Sequence, residues 1–149
     1  MRLSGTAALC MRKLARNWLD YARSDLTAAR HLSSAEGLGA VASFHCQQCI
    51  EKSLKSLLEF HDRTVPRIHD LITLHGQVSE IETIPLDENI LRQINDTYID
   101  TRYPLSGLDV VVSEPSSDKV KQFIETTETV LYYVSRIVVP TDESEQSDA

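Results

Sequence analysis

Cysteine is scarce in this chain, and its three copies are an odd number, which argues against a disulfide framework and for a reducing compartment. Glycine and proline number five each, and no glycine-rich phosphate loop, dinucleotide fingerprint or serine-nucleophile elbow is among them. No apolar run approaches the length of a membrane span, so no membrane partner is expected. No pair of histidines stands at helical spacing with a carboxylate as third ligand, so neither a metal site nor a cofactor is expected. Basic residues are the minority, 15 against 22 acids, for a formal charge of -7. The last ten residues hold four of those acids and no base, and the remaining body carries -3. Such a surface does not favour tight non-specific binding to nucleic acid, which needs many phosphate contacts. A small anionic ligand held by a few local cations fits it better.

What is present is helical periodicity. With 149 residues, 42% hydrophobic and 25% charged, the chain fits one globular domain. Its first ten residues superficially resemble a secretion signal but run into the charged, amphipathic stretch Met11 to Arg16, which reads as an N-terminal extension or helix lead-in over 1–11. Apolar spacing then predicts helices over about 12–33 and 39–60, joined by a short link that forces an antiparallel hairpin. A third helix starts at His69 or Asp70, a fourth runs from about Asp87 to before Tyr103 and Pro104, and Ser116 or Ser117 caps the last. Val110 to Val112 lacks a partner strand and reads as an extended connector. The expected architecture is an all-α, single-domain, up-and-down bundle of four to five helices over 12–139, followed by a disordered acidic tail over 140–149. The expected location is cytoplasmic.

Two helical seams carry residues that do not belong in a core. Ala40, Phe44, Gln47, Glu51, Leu54 and Leu58 share one face of the second helix, so an amide and a carboxylate enter whatever that face packs against. The seam Leu14, Trp18, Tyr21, Asp25, Ala28 and Leu32 of the first helix has one acid at its centre. Buried carboxylates demand cationic or hydrogen-bonding partners, or a wet cleft. Gln48, Lys52 and Lys55 flank the second seam, and the plainest reading of the lysines is a solvated face with a Glu51–Lys55 helical pair. Cys46 and Cys49 have redox or zinc spacing but sit inside a helical pattern without a second ligand pair, and read as packing thiols. His31, His45, His61 and His75 form no ligand cluster.

Four fragments occur in order. They are Trp18, Ala22, Asp25, Leu26 and Ala29; then Gln48, Glu51, Lys52, Lys55 and Leu58; then His69, Asp70, Leu71 and Leu74; and finally Arg102, Tyr103 and Pro104. Together, over about Arg16 to Ile137, they resemble the HEPN domain, the higher-eukaryote and prokaryote nucleotide-binding domain. The resemblance implies a helical bundle, a homodimer, a neighbouring nucleotidyltransferase partner and nucleotide binding. Its ligand-binding positions here would be Asp25, Gln48, Glu51, Lys52, Lys55, Arg102 and Tyr103. Asp25 and Glu51 would orient Lys52 or Arg102, those cations would meet phosphate, and Tyr103 would stack on a base. Another branch of that family comprises metal-independent endoribonucleases and toxins of toxin–antitoxin pairs, with an Arg followed closely by a His. Arg63 and His69 match that spacing, His69 as proton shuttle and Arg63 as charge stabiliser. The other reading of His69 is a helix N-terminal residue bonded to a neighbour. A structural helical adaptor without a small ligand is the third alternative.

Overall fold

The computed structural model describes residues 4–102 and 114–140, with side chains described through Tyr98 and again from Glu114. Five helices follow one another among them: α1 Gly5–Ser33, α2 Gly39–Phe60, α3 Leu71–Ser79, α4 Glu88–Arg102 and α5 Ser117–Val138. No strand occurs among the described residues, and no helix among them is long and apolar enough to cross a membrane. The connector Val110 to Val112, Tyr103 and the acidic residues from 141 onward lie outside the described residues, as does the side chain of Arg102.

The helix starts follow from short polar side chains. Ser4, Asp70 and Ser116 each accept a hydrogen bond from a backbone amide three residues on, at Ala7, Thr73 and Lys119. The Ser4 cap moves the start of α1 seven residues ahead of the expected Arg12, so residues 5–11 are the first turns of that helix rather than a separate extension. The second helix has no cap of its own. Glu114 supplies it from across the bundle, accepting from the Ala40 amide at 2.8 Å where the helix dipole favours an anion. Gly39 is what admits that acid: a Cβ there would stand 3.0 Å from Glu114 Oε1 and 3.1 Å from the Pro115 carbonyl.

The bundle is built on the α1–α2 hairpin. Ala15, Leu19, Ala22, Leu26 and Ala29 form the buried stripe of α1, and small side chains of α2, among them Ala42, Cys46, Cys49, Ser53 and Ser56, are buried with them. Alanine every seventh residue lets the backbones approach closely enough for Ser56 Oγ to donate to the Ala15 carbonyl at 2.7 Å. This corrects the seam expected for α1. Leu14 and Tyr21 are exposed, and of the six seam residues only Asp25 counts as buried. Small residues, not the bulky ones beside them, won the interface because they allow the tighter approach. The second helix keeps its expected seam, with Gln47 and Leu54 wholly inaccessible and Glu51 and Leu58 nearly so. Phe123, Val130 and Val134 of α5 close the core, and α3 and α4 cover its other side with Leu71, Leu74, Leu91 and Ile94.

Candidate functional site

Position 45, like 48, 52 and 55, lies on the flank of α2 beside the Gln47/Glu51 seam, because steps of three and four share a helix face. From α1, Asp25 meets this flank. Lys52 Nζ donates to Asp25 Oδ2 at 2.5 Å, and His45 Nδ1 lies 2.9 Å from Asp25 Oδ1. One turn further on, Glu51 repeats the arrangement. Lys55 Nζ donates to Glu51 Oε1 at 2.8 Å, and His69 Nδ1, arriving just ahead of α3, lies 3.0 Å from the same oxygen. The site is thus two neighbouring units of histidine, carboxylate and lysine. In each, a carboxylate facing Nδ1 selects the tautomer or charge state with its proton there, leaving Nε2 for another partner.

The two units differ in how much of their capacity is already used. Glu51 Oε2 also accepts from Gln47 Nε2 at 3.2 Å and Gln48 Nε2 at 3.3 Å, so four donors converge on one carboxylate. Gln47 Nε2 donates in addition to the His69 carbonyl at 2.9 Å, tying the start of α3 to α2. The side chains of Glu51 and Lys55 are 5% and 6% exposed, so the Glu51–Lys55 pair is a buried one and not the solvated helical pair expected. Lys52 keeps 23% of its side chain exposed and His69 56%. No buried side-chain nitrogen or oxygen among the described residues lacks a partner. The interior half of the cluster is therefore scaffold; spare N–H donors belong to Lys52, and His45 and His69 each keep Nε2 for another partner.

Aromatic rings border the cluster. Lys55 Nζ stands 5.7 Å from the centre of the Trp18 ring and Lys52 Nζ 6.0 Å from that of Tyr21, within reach of the cation–π attraction. Phe44 meets His45 edge-on at 5.4 Å and stacks on Tyr98 at 5.8 Å, and Tyr98 lies 6.1 Å from His69. A second anchor holds α3 from below. Asn95 of α4 accepts from the Leu71 amide at 3.0 Å and donates to Asp70 at 2.8 Å. Burial raises the Asp70 carboxyl, but bonds from the Thr73 hydroxyl and amide and from Asn95, with the charge of Arg92, outweigh it and hold the group below its ordinary value of 3.8.

Of the residues singled out in the sequence, the structure brings together Asp25, Gln48, Glu51, Lys52, Lys55 and His69. Arg63 does not join them. It is exposed in the loop after α2, and its side chain has no partner among the described residues, because Pro66 and the loop separate it from the start of α3. The sequence reading missed His45, although its spacing of three from Gln48 and seven from Lys52 puts it on the same flank. Cys46 and Cys49 are free and buried, as packing thiols should be. Burial pushes Cys46 up to about 11 and Cys49 further, so neither presents a thiolate. Among the described residues no group of three ligand-type side chains could hold a metal ion.

Fold and site together define an all-α bundle with a charge-balanced polar cluster on the flank of its central hairpin. The HEPN domain family model matches residues 15–137, and the chain belongs to that family. Two solved structures are similar along nearly their whole length. ST0689, an archaeal HEPN homologue, is 26% identical with a TM-score of 0.62, over 83% of this chain and 97% of its own. TT1696 from Thermus thermophilus is 26% identical with a TM-score of 0.63, over 82% of this chain and 96% of its own. No protein of curated function matches the chain.

Proposed function

We propose that this HEPN domain binds a nucleotide, or a molecule carrying one, on the flank bearing His45, Lys52, His69 and Tyr21, as a homodimer that works with a nucleotidyltransferase. The observation that carries the reading is the unequal use of the two histidine–carboxylate–lysine units. Glu51 and Lys55 satisfy each other in the interior, while Lys52 spends one of its three N–H donors on Asp25 and stays partly exposed. An exposed Tyr21 ring beside that ammonium offers a stacking surface next to a phosphate-binding cation. Two acids and two lysines cancel when both imidazoles are neutral, and a cluster of that balance suits one small anion rather than a polyanion.

Isothermal titration of the full chain with nucleoside mono- and triphosphates tests this. One saturable site per chain is expected, with the affinity of Lys52→Met and Tyr21→Ala reduced roughly ten-fold or more, about 1.4 kcal/mol, measured below the melting transition of each variant, since Lys52→Met also strips the buried Asp25 carboxylate of its ammonium. Binding by neither phosphate form overturns the proposal.

One observation favours a second reading, metal-independent RNA cleavage. His69 is oriented through Nδ1 by Glu51, keeps Nε2 for another partner and has 56% of its side chain exposed, the posture of a proton shuttle. Cleavage in the presence of chelator that disappears in a folded His69→Ala chain would establish it, and intact RNA under all conditions would remove it.

A further inference from the structure

The face of α1 that turns toward α5 is a ridge of arginines. At about 100° per residue, Arg12, Arg16, Arg23 and Arg30 fall within roughly 40° of one another, with Lys13 beside them. Helix α5 covers only the later half of this ridge. Arg30 is bound to Glu128 at 3.0 Å, and Arg23 lines an open trough of about 490 Å³ with Tyr132 and Ser135. These contacts set an antiparallel register in which each step forward on α5 is one step back on α1. By that register α5, ending at Val138, stops near the level of Leu19 and Asp20. Arg16 and Arg12 lie one and two turns beyond.

Arg12, Lys13 and Arg16 are exposed and have no partner among the described residues, and the nearest acid on the ridge, Asp20, is taken by Arg23 at 3.1 Å. The residues that follow Pro140 include Asp142, Glu143, Glu145 and Asp148 and no base. They follow α5 in the chain, and α5 ends at the level where the uncovered cations begin. Nine extended residues reach about 30 Å, against a rise of about 10 Å from Leu19 to Arg12.

We propose that the acidic residues after Pro140 dock in cis on Arg12, Lys13 and Arg16, continuing along α1 the role Glu128 plays for Arg30. The contact masks a run of three uncovered cations on an otherwise acidic chain, so that this surface engages other polyanions only by displacing the tail. It is independent of the nucleotide reading, since it lies on the opposite flank of α1 from Lys52.

The chain supplies its own probe site. Cys10 is exposed whereas Cys46 and Cys49 are buried, so a nitroxide reagent labels position 10 selectively. Amide signals of residues 142–148 in the full-length labelled chain should lose roughly half their intensity or more at about 10 mM salt, and regain it at about 1 M, where screening shortens to about 3 Å. They should also regain it in Arg12→Glu/Lys13→Glu/Arg16→Glu, whose helix content is checked by circular dichroism, and in the milder Asp142→Asn/Glu143→Gln/Glu145→Gln/Asp148→Asn. Unbroadened tail signals at low salt overturn the proposal, as does broadening that survives charge reversal. Broadening that fades on dilution assigns the contact to a second copy and overturns docking in cis.

Discussion

Replacing Glu51 by Gln changes one atom and no shape, yet it should be among the most damaging substitutions in the protein. The carboxylate accepts from Lys55 and His69 on one oxygen and from Gln47 and Gln48 on the other. A glutamine has one accepting oxygen and one NH2 group. If its nitrogen replaces Oε2, it faces two amide donors; if it replaces Oε1, it faces the Lys55 ammonium, whose side chain is 6% exposed. Removing one partner of a buried ion pair costs about 3–5 kcal/mol, because the other charge is left without compensation. For a domain of this size that is a fall of roughly 6–20 °C in melting temperature, out of a total stability of about 5–15 kcal/mol. Urea unfolding followed at the helical circular-dichroism band measures it. Lys55→Met added to Glu51→Gln should recover most of the loss: the ammonium is gone, the introduced amide oxygen can serve Gln47 and Gln48, and His69 can shift its proton to Nε2 and accept at Nδ1. A loss below about 1 kcal/mol for the single variant, or no recovery in the double, would refute the view that Glu51 is held in place by Lys55 as buried scaffold.

Three further outcomes follow from the same physical account. The Asp70 carboxyl is depressed, so its contribution to stability is present above its ordinary value of 3.8 and is lost as pH falls through the lower folded value; Asp70→Asn should flatten that part of the acid limb of a stability–pH curve. Cys46 is raised from 9.0 to about 11, so its neutral thiol supports the fold below pH 9 and withdraws up to about 3 kcal/mol as pH climbs through that interval. A thiol-specific chromogenic reagent should therefore titrate Cys10 alone in the native protein at neutral pH and all three cysteines in denaturant. Gly39→Ala should lower stability by about 1 kcal/mol despite alanine's better helix propensity, because its Cβ drives Glu114 from the Ala40 amide; a more stable variant in urea titration would show that 114–115 can step aside.

How much of this was legible in the sequence depended on whether the signal was local. Helix α2, the Asp70 and Ser116 caps and the buried Gln47/Glu51 seam were all readable, since spacing and capping chemistry act within a few residues. The α1 interface was not, because two apolar stripes compete on that helix and the choice between them is made by how closely α2 can approach. Bulk pointed to Trp18 and Tyr21, whereas close packing chose Ala15, Ala22 and Ala29. The capping of α2 by Glu114 and the Asn95 clamp on α3 span 74 and 24 residues of chain, distances over which periodicity carries no information. His45 is the instructive omission. Its position on the α2 flank followed from spacing alone, but its importance came only from Asp25, 20 residues away on another helix.

The polar seam also explains why a carboxylate can be fully satisfied and still help a binding surface. A ligand cannot use Glu51 or Lys55 without breaking a buried pair, but the pair fixes the ring plane of His69 and, through Gln47, the backbone just before α3. Asp25 does the same for His45 and Lys52 with far less burial of the lysine. Orientation and availability are thus divided between neighbouring units on one helix. The inner unit supplies rigidity because it has no spare donors facing water, and the outer unit supplies spare donors because its lysine is only partly enclosed. A side chain pre-positioned in this way loses less rotamer entropy on meeting an anion than a free surface lysine does. The apparent defect in the α2 core stripe is what places two imidazoles and one ammonium along a single aromatic-bordered flank.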